Sequence, residues 1–231
     1  MGKLTSEPAL KDRTYVFADR AHAGRLLAGR LLAWRGQKVH LFAIPAGGVP
    51  VAAEIARLLN LPLELIIVRK IQLPYTTEAG FGAINPAGEA IFNEDLLRRI
   101  NLSQADIARQ MEQAAASMRR REERLRGGQP YPPLTGETII LVDDGLASGF
   151  TMRAAVQFLK HLGAGHLIVA VPTASENTVQ NLLPIVDELI CLNVRGGRSF
   201  AVAEAYEKWY DLEEEEVLEI MESWSPATTA R

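Results

Sequence analysis

Short aliphatic runs alternate along the chain with segments whose apolar residues recur at helical spacing. Such runs are typical of parallel strands that are buried on both faces. They predict strands at residues 39–44, 63–68, 139–142, 166–171 and 188–192. The amphipathic segments between them predict helices at residues 19–35, 152–162 and 176–183, and one that ends at residue 59. This alternation favours an α/β fold: a mostly parallel, doubly wound sheet flanked by helices.

Some segments depart from the alternation. Residues 71–83 contain a proline and two glycines and predict a loop, whereas residues 83–85 and 89–92 flank a Pro-Ala-Gly turn and predict a β-hairpin. Residues 94–126 predict a long helix that is rich in arginine. We therefore expect one domain over residues 1–231, with an Arg-rich helical insertion at 94–130. An arginine-dense helix favours a solvated face, and a nucleic-acid or oligomer contact is the alternative.

Polar residues indicate where two helices begin. Asp19 is a good N-cap for the first helix. Asp211 and Glu214 have the spacing of a capping box for a final helix. We expect residues 213–216 to form the solvated, acidic first turn of that final helix.

Composition and charge narrow the classes of function. The formal net charge of −3 gives no electrostatic argument for nucleic-acid binding. The single cysteine, Cys191, excludes an internal disulfide framework and fits a reducing compartment. No apolar stretch approaches the length of a membrane span, and residues 1–13 lack a signal-peptide pattern. We expect a cytoplasmic protein that binds neither membranes nor nucleic acid.

Candidate chemistry concentrates at residues 139–151. Four aliphatic residues lead into Asp143 and Asp144, and a stretch of small residues follows, with Thr151 at the predicted start of a helix. A strand, a tight loop and a helix N-terminus present backbone N–H groups and a helix dipole, which attract an anion. Small residues let the backbone close on a phosphate. The paired acids would bind hydroxyls or a divalent ion, so the pattern predicts a ligand with a 5′-phosphate and a ribose diol.

Two other interpretations of the acidic pair compete with this one. An aliphatic run that ends in two acids also occurs in P-loop nucleotide hydrolases, but the G-x-x-x-x-G-K-[ST] string that this fold requires is not in the sequence. Alternatively, Asp143 and Asp144 merely begin a turn and cap a helix. Because two acids at a buried strand end are costly to desolvate, ligand binding is the favoured interpretation.

Residues 139–151 resemble the 5-phosphoribosyl-1-diphosphate (PRPP) motif of type I phosphoribosyltransferases, which has four apolar residues, two acids, a short spacer and Ser/Thr-Gly-x-Ser/Thr. The resemblance implies that Asp143 and Asp144 bind the ribose hydroxyls and, indirectly, Mg²⁺. It implies a 5′-phosphate site formed by Gly145, Leu146, Ala147, Ser148, Gly149 and Thr151.

Two residues of the loop depart from the family pattern. Phe150 replaces a small residue, and we expect its ring to turn out of the loop into packing. Ala147 stands where hypoxanthine-guanine enzymes have an Asp that acts on the purine ring, which weakens a 6-oxopurine assignment.

A second strand–glycine loop–helix junction follows residues 39–44. The resemblance implies that its residues Ala46, Gly47 and Gly48 contact the pyrophosphate of PRPP, although close relatives have Arg at the position of Ala46. Arg69 and Lys70 follow the predicted strand 63–68, at the edge where ligands of parallel sheets bind. We assign both as catalytic residues that neutralise departing pyrophosphate. In the family, residues 71–83 correspond to a mobile catalytic loop.

The resemblance thus implies a phosphoribosyltransferase. Such an enzyme uses PRPP and Mg²⁺ to transfer a 5-phosphoribosyl group to a nitrogenous base or other nitrogen nucleophile, with release of pyrophosphate. It also implies a homo-oligomer, most simply a dimer. A non-catalytic PRPP sensor or regulator on the same fold is the alternative, which Ala46 and Ala147 favour. A phosphoribosyl-fold hydrolase is a third hypothesis.

Overall fold

The computed structural model describes residues 2–197 and 199–224, apart from the side chains of residues 77 and 78. The strands are Lys3–Thr5 (β1), Val39–Ala43 (β2), Leu63–Leu65 (β3), Arg69–Leu73 (β4), Thr76–Ile84 (β5), Ala90–Phe92 (β6), Thr138–Val142 (β7), His166–Ser175 (β8) and Glu188–Arg195 (β9). The α-helices are Arg20–Arg30 (α1), Gly48–Leu59 (α2), Glu94–Arg99 (α3), Gln104–Arg126 (α4), Phe150–His161 (α5), Glu176–Leu182 (α6) and Glu214–Ser223 (α7).

Six parallel strands form the main sheet in the order β1-β9-β8-β7-β2-β3. Strand β7 lies inside it, between β2 and β8. Alternate residues of β7 belong to two apolar clusters: Ile140 and Val142 pack with α1 and α2, and Ile139 and Leu141 pack with α5 and α6. The predicted doubly wound α/β fold is confirmed, because helices cover both faces of a parallel sheet. No described helix combines the length and the apolar character that crossing a bilayer requires.

Strands β4, β5 and β6 form a smaller antiparallel sheet. Two predictions for this region were wrong. The strand predicted at residues 63–68 ends at Leu65, so Arg69 and Lys70 begin β4 instead of ending a strand of the main sheet. Residues 71–83, predicted as a loop, belong mostly to the β4–β5 hairpin. The local sequence suggested a loop because of its glycines, but pairing with β4 and burial of the Ile71 and Phe81 side chains favour strands. The hairpin predicted at residues 83–92 is confirmed as β5–β6.

Three predicted helices also differ from the structure, one by an internal break and two by the position of one end. The Arg-rich helix is broken at residues 100–103, where Ser103 caps α4 by accepting a hydrogen bond from the Asp106 amide at 3.1 Å. The first helix ends at Arg30, because a 3₁₀ turn at Leu32–Trp34 replaces its last predicted turn. The capping box of α7 consists of Glu213 and Glu216, two residues later than predicted.

Several arginines of α4 contact other parts of the protein, although the sequence favoured a solvated face for this helix. The Arg121 side chain is 12 % exposed and its Nε lies 2.9 Å from Glu214 Oε1 of α7. Arg124 pairs with Glu214 and Glu215, so the acidic turn contacts α4, although Glu213 and Glu215 are exposed as predicted. Arg126 donates a 2.6 Å hydrogen bond to the Leu65 carbonyl at the end of β3. These contacts attach α4 to the rest of the fold.

Candidate active site

The loop between β7 and α5 lies at the carboxyl edge of the main sheet, where ligands of open parallel sheets bind. Its last residue, Gly149, has φ +74°, a backbone conformation that glycine adopts at little cost. An added Cβ there would lie 2.5 Å from Thr178 Cγ2 of α6. Glycine is therefore required at position 149 both for the turn and for the close approach of α6.

Residues at the end of β8 and the start of α6 support the loop. The Leu146 amide donates to the Thr173 carbonyl at 3.0 Å, and the Ser175 amide donates to the Leu146 carbonyl at 3.1 Å. The hydroxyls of Ser175 and Thr178 both donate to the Ala147 carbonyl. This support fixes the shape of the loop before any ligand binds. The sequence reasoning did not assign Thr178, although the Ser175–Thr178 spacing is that of an N-cap pair.

A cavity of about 430 Å³ opens over this loop. It is lined by every loop residue from Gly145 to Thr151, and also by Lys70, Ala79, Gly80, Gly82 and Val202. The structure therefore brings Lys70 to the same cavity as the predicted phosphate loop. Arg69 is not among the lining residues; with Lys70 it lines a smaller cavity against α4. The two predicted catalytic cations thus line the smaller cavity together, and Lys70 also lines the cavity over the loop.

Phe150 is half-buried. It packs against the apolar cluster on the α5 side of the sheet, and it also lines the cavity. The guanidinium carbon of Arg153 lies 5.4 Å from the centre of the ring. The expectation that this ring turns out of the loop into packing therefore holds in part: the ring packs, and the residue still contributes to the cavity wall.

The two acids lie at the start of the loop, outside the lining of the cavity. Asp144 Oδ2 accepts a hydrogen bond from Arg20 Nε at 2.9 Å, and both side chains are nearly buried. Asp143 Oδ1 accepts from the Asp144 amide at 2.9 Å. Burial raises the pKa of both carboxyls, and the charge of Asp144 raises the pKa of Asp143 further, while Arg20 opposes both shifts.

The loop after β2 lies directly against these acids. The Pro45–Ala46 peptide is cis, and α2 begins at Gly48. An added Cβ at Gly47 would lie 1.9 Å from Asp144 Oδ2, and one at Gly48 would lie 2.9 Å from Asp143 Cα. Only glycine leaves room for this approach. The structure thus brings Gly47, Gly48, Asp143 and Asp144 together as a second group beside the phosphate loop.

Arg20 is a residue of this site that the sequence reasoning missed. Its guanidinium lies 3.9 Å from the centre of the Trp209 ring, and its Nη1 donates to the Tyr210 carbonyl at 2.9 Å. The Tyr206 hydroxyl donates to the Asp144 carbonyl at 2.6 Å. In the sequence Arg20 follows the N-cap Asp19 within a Phe17-x-Asp19-Arg20 pattern, but its position resembles a surface position in a first helical turn, and no role was assigned to it.

The carboxylates suit a magnesium ion that keeps much of its water. Among the residues that the structure describes, no three His, Cys, Asp or Glu side chains converge on one point. Mg²⁺ commonly binds through one or two carboxylates together with substrate oxygens and water. Asp143 and Asp144 therefore fit the metal that the resemblance implies, and no larger ligand set is required of the protein.

The fold and the site together define an α/β protein with a phosphate-binding type of loop beside two acids at the carboxyl edge of a parallel sheet. The profile of the family described as "Phosphoribosyl transferase domain" matches residues 18–180. The chain belongs to this family, which confirms the resemblance to type I phosphoribosyltransferases.

Two kinds of relatives match most of the chain. It is 36% identical over 207 residues to "Putative phosphoribosyl transferase Rv0571c" of Mycobacterium tuberculosis, an alignment that covers 90% of this chain and 46% of that protein. The chain therefore spans about half the length of the curated relatives it matches. The crystal structure of TT1426 from Thermus thermophilus has 34% identity and a TM-score of 0.71, and covers 90% of this chain and 99% of that one.

Proposed function

We propose that this protein is a phosphoribosyltransferase that binds PRPP with Mg²⁺ and transfers the 5-phosphoribosyl group to a nitrogen nucleophile, releasing pyrophosphate. The observation that carries the proposal is the continuity of the two glycine loops. Asp143 and Asp144 immediately precede Gly145, the first loop residue that lines the cavity, and Gly47 and Gly48 approach those acids closely from the other side. Sites for a phosphate, a ribose diol and a pyrophosphate would thus follow one another along one edge of the sheet.

The residues have separate roles in this proposal. Asp143 and Asp144 would hold the ribose hydroxyls, while the amides of the phosphate loop and the hydroxyls of Ser148 and Thr151 would hold the 5′-phosphate. The loop Ala46–Gly48 would contact the pyrophosphate. The same two carboxylates would hold Mg²⁺ indirectly, and the ion would supply positive charge near the leaving group.

Catalysis in this proposal comes from positioning and from charge neutralisation. Fixing the ribose and both phosphate ends aligns the anomeric carbon for an incoming nitrogen. Negative charge then develops on the departing pyrophosphate, and Lys70 at the cavity would stabilise it. Arg69, on the α4 side, would add to the positive potential without lining the same cavity.

Loss of the acidic pair tests the site assignment. Asp143→Asn combined with Asp144→Asn removes both carboxylates and leaves side chains of nearly the same size. We expect PRPP binding, measured by titration calorimetry with Mg²⁺, to fall below detection while circular dichroism and the unfolding midpoint show a folded protein. Undiminished PRPP affinity in the double variant would refute the assignment.

A turnover assay separates the proposed enzyme from its alternatives. Purified protein is mixed with PRPP, Mg²⁺ and each of a panel of bases, and released pyrophosphate is measured. Release that depends on one base supports the transferase and identifies the acceptor. Release without any base supports a hydrolase, and PRPP binding without release supports a sensor or regulator.

The regulator remains a second candidate because of Ala46 and Ala147, which replace a charged residue in close relatives and an acid in hypoxanthine-guanine enzymes. A regulator that uses the basic helix on RNA would need arginines that are available to phosphates. Arg121 and Arg126 contact α7 and the β3 carbonyl, whereas Arg119 and Arg120 of the same helix are exposed and would be the residues that contact RNA. We also propose a homodimer, which light scattering after size-exclusion chromatography would test.

A further inference from the structure

We infer that Arg20 is a positioning residue of the PRPP site: it fixes the carboxylate of Asp144 against the Ala46–Gly48 loop and joins the acidic pair to the chain segment 206–210. The inference rests on the proposed function, because it assigns a role within that same site. Arg20 lies far from the motif in sequence, at the start of α1.

Burial distinguishes Arg20 from the other arginines of α1. Its side chain is 7 % exposed, whereas that of Arg25 is 47 % exposed and pairs with Glu54 at 3.4 Å. A buried guanidinium needs partners for its charge and its N–H groups, because it has left water. Arg20 has an anionic partner in Asp144 Oδ2 and a neutral acceptor in the Tyr210 carbonyl. The Trp209 ring lies 3.9 Å from its guanidinium carbon, in cation–π geometry.

These contacts leave Asp144 little freedom. On one side the backbone of Gly47 approaches so closely that an added Cβ would lie 1.9 Å from Asp144 Oδ2. On the other side Arg20 Nε bonds to that same oxygen at 2.9 Å. The Asp144 carbonyl is held by the Tyr206 hydroxyl at 2.6 Å. The side chain and backbone of Asp144 are thus tied to three parts of the fold.

This arrangement sets the spacing between the proposed ribose and pyrophosphate sites. If Arg20 were neutral, the Asp144 carboxylate would lose its cationic partner while still confined beside Gly47. The Asp144 carboxylate would then tend to rotate toward water, and because Gly47 lies against it, this rotation would disturb both glycine loops. Because ligand binding requires the loops to be preorganised, a change at Arg20 should reach PRPP without a direct contact.

The experiment is a double-mutant cycle in PRPP affinity, measured by titration calorimetry with Mg²⁺. It uses the full chain as wild type, Arg20→Gln, Asp144→Asn and the combined variant. Arg25→Gln on the same helix is the matched control. We expect Arg20→Gln to weaken PRPP binding about tenfold or more and the combined variant to bind no worse than Asp144→Asn alone. Arg20→Lys, which keeps the charge but loses the planar guanidinium, should recover part of the affinity.

Each outcome of the double-mutant cycle either supports or overturns the role inferred for Arg20. Wild-type affinity in Arg20→Gln, or effects that multiply in the combined variant, would overturn the inference while the proposed function stands. No PRPP binding by the wild type would overturn the proposed function and the inference with it. If Arg20→Gln does not fold, the combined variant decides: recovered folding means that Arg20 acts through Asp144, and continued failure to fold overturns the inference.

Discussion

The protein contains two strand–glycine loop–helix junctions, one after β2 and one after β7, and the two loops differ in what surrounds them. The loop after β7 lies open beneath a cavity of about 430 Å³ and is supported from below by Thr173, Ser175 and Thr178. The loop after β2 packs closely against the acids, since an added Cβ at Gly47 would lie 1.9 Å from Asp144 Oδ2. The two junctions have similar local sequences, so the residues that surround each loop determine whether it is open or closely packed.

The two loops also require glycine for different physical reasons. Gly149 has a positive φ and a close neighbour, so both backbone conformation and space require it. Gly47 has φ −61° and ψ −33°, an ordinary helical conformation, so space alone requires it. Substitutions at the two positions should consequently fail for different physical reasons, and matched glycines elsewhere in the chain allow each reason to be measured.

The largest effect is expected at the packed loop. In Gly47→Ala the new methyl group would overlap Asp144 Oδ2, so either the carboxylate or the loop must move. We expect PRPP affinity, measured by calorimetry, to fall about a hundredfold, because displacements near 1 Å in a binding site have effects of that size. Gly29→Ala in α1 is the control, since nothing lies within 4 Å of its added Cβ. Equal affinity of the two variants would contradict the packing described for Gly47.

A smaller effect, on stability, is expected at the open loop. Gly149→Ala combines an unfavourable φ with a Cβ contact of 2.5 Å to Thr178 Cγ2. We expect the free energy of unfolding, from urea titration, to fall by about 2–3 kcal/mol. The control Gly36→Ala has φ +75° but nothing within 4 Å, and should lose about 1 kcal/mol. If both variants lose the same amount, the contact with Thr178 contributes nothing.

The smallest expected effect is on the pH dependence of the free energy of unfolding, to which the acids between the two loops contribute. Because the folded pKa of Asp143 lies above its ordinary value of 3.8, the folded state holds more protons than the unfolded state between those values. The free energy of unfolding should therefore fall as pH rises through the raised pKa. Asp143→Asn removes this dependence and should gain about 1 kcal/mol at pH 7.

Urea titrations at several pH values measure this difference. Asp95→Asn, whose side chain is 76 % exposed, controls for removal of a surface charge. A pH slope unchanged by Asp143→Asn would show that burial of Asp143 has no consequence for stability.

Much of the main sheet could be predicted from the sequence because its strands are aliphatic runs that are buried on both faces. Strand β7 and the loop after it were predicted from residues that are contiguous in the chain, and a cavity opens over Gly145–Thr151. Such features depend on local composition and on the helix N-terminus that follows, so the sequence carries them directly.

The features that could not be predicted depend on contacts between distant segments. The β4–β5 hairpin forms where glycines suggested a loop, because Ile71 and Phe81 are buried by α4 and the main core. Arg20 becomes part of the site only when α1, the acidic loop and residues 206–210 meet. The ion pairs between the acidic start of α7 and α4 were not predicted, because their arginines are far away in sequence.

A crystal structure of the protein grown with ribose 5-phosphate, which is chemically stable and lacks the pyrophosphate, tests the central claim most directly. The geometry of the site predicts the phosphate among the amides of Gly145–Thr151, within hydrogen-bond distance of the Ser148 or Thr151 hydroxyl, and the ribose hydroxyls at Asp143 or Asp144. A phosphate bound elsewhere, or a sugar directed away from the two acids, would contradict it.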